Sequence, residues 1–179
     1  MEQKTQVAVV LAAGHGQRLS QYSELPKPLV EGDGCSLIER TGGTLQAGGV
    51  DEIVVVLGHR AEEIERALGT RQGVRFVHDA DWQKGAGSSL AAARDVVAGR
   101  PFFLIPADLV CSADVVIGLQ AYRPNGLCYL GVDSNIGRVY DLENQVKVRL
   151  DGDRIVDLGR DVEEGDAVST QVWLLSERI

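Results

Sequence analysis

The chain is sparing with cysteine, methionine and aromatic residues: three Cys, one Met and 5% Phe, Trp and Tyr among 179 residues. Cys35, Cys111 and Cys128 are odd in number and irregularly spaced. That fits neither a disulfide framework nor a zinc site, and suits free thiols in a reducing cytoplasm. His15, His59 and His78 are scattered without an HExxH pattern, so a catalytic zinc built from protein ligands has no candidate. Basic residues are also short: 18 Lys and Arg against 26 Asp and Glu, a net charge of −8, which disfavours nucleic acid as a partner. No apolar run approaches the roughly 18 residues of a membrane span. No signal-peptide pattern precedes the first strand-like segment. The expectation is a cytoplasmic domain whose segment here makes no membrane contact. Repeats, low-complexity tracts and Pro/Ser linkers are missing as well, so residues 1–179 read as one domain.

What is present is alternation. Apolar, β-branched runs at Val7–Leu11, Ile53–Leu57, Val74–Val77, Phe102–Ile105 and Leu127–Val132 predict strands. Helical spacing over Ser36–Ala47, Ala61–Leu68, Ser88–Ala98 and Ala113–Ala121 predicts helices between several of them. Such a pattern implies an α/β fold with a largely parallel sheet covered on both faces. The last quarter differs. Gln145–Leu150 and Arg154–Leu158 alternate in polarity around Asp151-Gly152-Asp153, a hairpin signal, and a final strand spans Val168–Leu175. Gly42-Gly43 inside the first long helix is costly, and close helix packing is a possible reason.

The first strand empties into Leu11-Ala12-Ala13-Gly14-His15-Gly16-Gln17-Arg18-Leu19. Small residues let backbone N–H groups approach an anion, so the turn suits a phosphate. It is not a Walker A loop, because no Lys-Ser/Thr follows the second Gly. Nor is it a dinucleotide fingerprint, because Leu19 stands at the third Gly position, which makes an NAD(P) oxidoreductase a weak alternative. Arg18, and Lys27 between Pro26 and Pro28, add a guanidinium fork and a mobile ammonium, a pairing suited to polyphosphate. Asp108 follows a predicted central strand, at the end where open α/β sheets bind ligands. The alternatives are a cap for the next helix or a solvated turn.

LAAGHGQRL with PKPL resembles the signature of the nucleotidyltransferases that join an NTP to a sugar or alcohol phosphate. WQKGAGSSL (Trp82–Leu90), DLENQVKV (Asp141–Val148) and Arg154–Leu175 extend the likeness nearly end to end. Among the subfamilies the nearest is the CTP:inositol-1-phosphate cytidylyltransferases, with the phosphocholine cytidylyltransferases next. The resemblance implies a three-layer α/β/α Rossmann-like nucleotidyltransferase (nucleotide-diphospho-sugar transferase) fold with a mostly parallel central sheet and a small antiparallel β appendage. It implies that Leu11, Ala12, Ala13, Gly14 and Gly16 line the nucleotide and that Arg18 and Lys27 are catalytic. It further implies that Gln83, Gly85, Ala86 and Ser88 meet the base, and that Asp108 holds Mg²⁺. Ser88 or Ser89 could instead be only a helix N-cap. Glu143 and Lys147 could face the acceptor or belong to a solvated surface. The implied partners are an NTP, with CTP preferred, and a small phosphorylated acceptor.

The departures are specific. The family's Asn-Gly-Tyr-Ser reads Ala86-Gly87-Ser88-Ser89, and Leu109 stands after the metal Asp where His is common. The second metal Asp, of an Asp-Thr-Gly, reads Ser169-Thr170-Gln171. Asp166 is a poor substitute: three strand residues, about 10 Å, on the opposite face. The resemblance also leads one to expect further helices after Ile179, so the C-terminal part of the family domain is missing from this chain. Two readings follow: an Mg²⁺-dependent cytidylyl transfer to a phosphorylated alcohol or sugar such as inositol 1-phosphate, with release of pyrophosphate, or a catalytically impaired nucleotide-binding relative. A phosphocholine- or sugar-phosphate-specific enzyme is a variant of the first.

Overall fold

Five consecutive apolar residues make β1 (Val7–Leu11), which sits at the centre of the sheet and is covered on both faces. The computed structural model describes residues 5–20 and 22–178, apart from the side chains of Arg18 and Ser20. After β1 come a short helix α1 (Gln17–Ser20), a small hairpin of β2 (Glu31–Gly32) and β3 (Cys35–Ser36), α2 (Leu37–Ala47), β4 (Glu52–Leu57), α3 (Ala61–Leu68) and β5 (Val74–His78). Next are α4 (Ala86–Ala92), α5 (Arg94–Val97), β6 (Phe102–Pro106), α6 (Ala113–Leu119) and β7 (Tyr129–Asp133). The chain ends with β8 (Lys147–Asp151), β9 (Arg154–Gly159) and β10 (Ala167–Leu175).

The main sheet runs β5-β4-β1-β6-β10-β8-β9, with β7 also paired to β10. β5, β4, β1 and β6 are parallel; β10 is antiparallel to β6, β7 and β8. Alternate side chains feed two cores. Ala8, Val10, Ile53, Val55, Leu57, Phe103 and Ile105 pack with Ile38, Leu45, Ile64 and Val116 from α2, α3 and α6. Val7, Val9, Val54, Val56 and Phe102 pack with Ala93 and Val97 on the other face. The three-layer fold is thus as expected, and the antiparallel appendage joins the main sheet through β10.

Local differences have local causes. The helix expected over Ser88–Ala98 begins at Ala86 and breaks at Ala93 into α4 and α5. The strand expected from Leu127 begins at Tyr129. Close packing does not explain Gly42 and Gly43: a Cβ at Gly42 would only touch Ile53, and one at Gly43 would meet nothing. The crowded position is Gly48, just past α2, where a Cβ would overlap Val116 of α6. In β10 the pairing with β7 slips between Ser169 and Trp173, and within the slip Gln171 takes φ +62°. A non-glycine residue in that left-handed region costs roughly 1–2 kcal/mol.

Candidate active site

β1 opens into the glycine turn at the C-terminal edge of the sheet, where the strand order diverges toward β4 on one side and β6 on the other. This is where ligands of open α/β sheets bind. Both neighbours hold the turn in place. Ala12 donates its N–H to the Val56 carbonyl at 2.9 Å, His59 donates to the Ala13 carbonyl at 3.0 Å, and Ala107 donates to the Leu11 carbonyl at 3.0 Å. Ala12 and Ala13 are buried and Gly14 is exposed. Gly16 has φ +66°, and a Cβ there would stand 2.8 Å from Lys27 Cβ. The missing side chain therefore makes room for the stem of Lys27.

Lys27 opens a 3₁₀ turn, Lys27–Leu29, between two buried prolines. The preceding segment is tied down by the Arg60 guanidinium, which donates to the Glu24 carbonyl at 2.5 Å. The Lys27 ammonium forms an ion pair with the Asp108 carboxylate, each side chain about one-third exposed. Two residues far apart in sequence thus meet at the mouth of the glycine turn. The Asp108 backbone is seated by α2: buried Thr41 donates its hydroxyl toward the Ala107 and Leu109 carbonyls at 3.2 and 3.1 Å. The side chain of Arg18 lies outside the described residues.

The segment from Gln83 to Ser88 is organised by a residue that the sequence did not flag. Asp79, buried after β5, accepts from the hydroxyls of Ser88 and Ser89 and from the Asp81 N–H, all at 2.9 Å. Burial would raise its carboxyl, but the two hydroxyls and the amide together hold it below the ordinary value. Ser88 and Ser89 lie inside α4 and are not its N-cap; that position is Gly85, at φ +101°. The Ser88 hydroxyl, with one proton, faces Asp79, the Asp81 carbonyl and the Gly85 carbonyl, so it is committed to folding the loop. Gln83 and Gly85, on the turn before α4, and Ala86, its first residue, are exposed.

A row of rings links the two loops. His15 of the glycine turn lies 4.3 Å from His59, centroid to centroid, and His59 lies 5.2 Å from Trp82, beside Gln83. Burial, then the neighbouring His15 and Arg60, pushes the His59 imidazole below its usual pKa. Scattered histidines carry no spacing signal, so only the folded chain reveals the row.

Asp108 offers one hard carboxylate, and among the described residues no group of three or more His, Cys, Asp or Glu could hold a metal. That donor set fits Mg²⁺, which uses one or two carboxylates with substrate phosphates and water. The Ser169 hydroxyl accepts from the Gln171 N–H at 3.0 Å, and Asp166 accepts from the Leu150 N–H at 2.7 Å, which commits Asp166 to the β8 edge. Lys147 starts β8 opposite Val168. Glu143 is exposed and makes no hydrogen bond or ion pair among the described residues.

Residues 8–134 match the MobA-like NTP transferase domain. The chain belongs to the MobA-like NTP transferase family. This NTP transferase domain is 38% identical over 172 residues to a bifunctional IPC transferase and DIPP synthase of Rubrobacter xylanophilus, covering 94% of this chain and 38% of the relative. With the protein of the same description from Archaeoglobus fulgidus it is 32% identical over 98% of the chain and 34% of the relative. The chain thus spans between 34% and 38% of the length of these two relatives. The solved inositol-1-phosphate CTP transferase of T. maritima superposes with a TM-score of 0.81 at 25% identity, over 99% of this chain and 73% of that one. A UDP-glucose pyrophosphorylase complexed with UDP-glucose has the same fold at 15% identity and a TM-score of 0.80.

Proposed function

We propose that this NTP transferase domain moves a cytidylyl group from CTP to a phosphorylated polyol such as inositol 1-phosphate and releases pyrophosphate. The observation that carries the reading is the Lys27–Asp108 pair at the mouth of the glycine turn. The names of the relatives and of the T. maritima structure support the choice of substrates.

In this reading Leu11 and Ala12 line the nucleotide, the N–H groups of the turn from Ala13 to Gly16 receive the triphosphate, and Arg18 grips it. The Lys27 ammonium, paired with Asp108 in the free protein, turns toward the α-phosphate and the leaving group. Asp108 is the residue that would hold Mg²⁺, whose chemistry there is to neutralise phosphate charge. An oxygen of the acceptor's phosphate attacks the α-phosphorus in line. The new O–P bond forms as the bond to the β-phosphate oxygen breaks, and pyrophosphate leaves with the electron pair. The protein contributes position and charge, so no covalent nucleophile is needed. Gln83, Gly85 and Ala86 read the base edge, while Ser88 acts through the loop it folds. Glu143 and Lys147 face the acceptor.

The test is pyrophosphate release with CTP, Mg²⁺ and inositol 1-phosphate. Lys27→Ala, with its thermal midpoint preserved, is expected to lower turnover by roughly 10²–10³, the effect of losing one preorganised charge donor. Near-normal turnover rejects the assignment. Ser169, a neutral oxygen already accepting a backbone N–H, favours a second reading, nucleotide binding without transfer. CTP binding without turnover, recovered by Ser169→Asp, selects it.

A further inference from the structure

β10 changes neighbour part-way along its length. Trp173–Leu175 pair with Phe102–Leu104 of β6, whereas Ala167 and Val168 pair with Val148 and Lys147 of β8. Between these halves lie Ser169, Thr170, Gln171 and Val172, where the pairing to β7 also slips. The register therefore sets this bulge opposite the gap between the C-terminal end of β6, which leads to Asp108, and the start of β8 at Lys147. The bulge is firmly built. Thr170 Oγ1 donates to the Gly131 carbonyl at 2.7 Å, and the N–H groups of Gln171 and Val172 reach Ser169 Oγ and Thr170 Oγ1 at 3.0 and 3.3 Å.

Gln171 is out of character here. Asp33, Arg60 and Asp141, the other non-glycine residues of positive φ among those described, occupy a hairpin turn or lead into helical turns; Gln171 at +62° lies inside a strand. Glycine would hold the same conformation without steric cost. The Gln171 side chain is exposed, and its carboxamide makes no hydrogen bond among the described residues. Backbone strain of this kind clusters at active sites and ligand clamps, and here it holds an unpaired carboxamide beside the candidate site.

We propose that Gln171 is a specificity-determining residue of the acceptor site, its carboxamide hydrogen-bonding the hydroxyls of a polyol phosphate. The proposal rests on the nucleotidyl-transfer reading above and adds to it the residue that selects the acceptor. A carboxamide offers one carbonyl acceptor and two N–H donors, and each hydroxyl both donates and accepts, so neighbouring hydroxyls pair with it reciprocally. Phosphocholine, which has no hydroxyl, gains nothing from it.

The experiment measures pyrophosphate release with CTP and either inositol 1-phosphate or phosphocholine, alongside thermal midpoints. Gln171→Gly is expected to raise the midpoint by about 2 °C as the strain is relieved. It is expected to raise the KM for inositol 1-phosphate about tenfold, as lost hydrogen bonds do, with the KM for CTP unchanged. Gln171→Asn, which tolerates this backbone and keeps an amide on a shorter stem, is expected to fall between. A Gln171→Gly protein with an unchanged acceptor KM overturns the proposal. Acceptor and CTP constants that rise together, or a midpoint that falls, overturn it too, since they mark a collapsed bulge. Wild-type protein that uses phosphocholine but no polyol phosphate overturns it while nucleotidyl transfer stands. No release with any acceptor removes the parent reading, and this inference with it.

Discussion

Gly16 shows how much one residue can carry. Its φ of +66° suits glycine, and the space its Cβ would take is filled by the Lys27 side chain. Gly16→Ala is therefore expected to destabilise the fold by roughly 1–2 kcal/mol and to displace Lys27. Urea denaturation checks the first effect; CTP turnover, expected to fall well beyond what the lost stability explains, checks the second. The glycine and the lysine were both visible in LAAGHGQRL and PKPL, because each stands in a dense local motif. Their contact was not, nor was the ion pair of Lys27 with Asp108, since long-range contacts leave no trace in spacing. Asp79 was invisible for a further reason: an isolated Asp before Asp81 and Trp82 looks like any turn carboxylate until folding brings the Ser88 and Ser89 hydroxyls onto it.

Among the elements, α2 matters most to the site, because Thr41 seats the Asp108 backbone. The helix starts in a capping box: Glu39 N–H donates to Ser36 Oγ, and Ser36 N–H donates back to the Glu39 carboxylate. The Ser36 hydroxyl, then Arg71, lowers the Glu39 pKa from 4.5 to about 2. A carboxyl depressed in the folded state contributes stability above its unfolded pKa, and that contribution fades as pH falls. For Glu39 the loss runs from 4.5 down through about 2. Glu39→Gln, which keeps a capping side chain but cannot titrate, is expected to be less stable than wild type at pH 7, with the gap closing toward pH 2. Urea midpoints across that range check it. The long strands and helices were legible because periods of 2 and 3.6 survive over many residues. The β2–β3 hairpin was passed over, although Asp33 and Gly34, both at positive φ, form its turn; two-residue strands are too short to show a period.

Across the whole molecule, β10 joins the parallel strands to the antiparallel ones, bonding β6, β7 and β8. Leu174, fully buried in the core shared with α2, α3 and α6, pairs with both Phe103 and Tyr129. Leu174→Ala is expected to cost about 3 kcal/mol and to lower the stability of both halves together, in one urea transition. Separate transitions followed by Trp fluorescence and far-UV CD would show that the halves unfold on their own. Nearest-neighbour chemistry sufficed for the α/β class, the glycine turn that follows the first strand and the order of motifs along the chain, because turns, caps and alternation are written within a few residues. The meeting of Lys27 with Asp108, the ring row from His15 to Trp82, and the exchange of β6 for β8 beside Gln171 depend on strand order and register. Those are properties of contacts between distant segments, and they exist only once both cores have closed around the sheet.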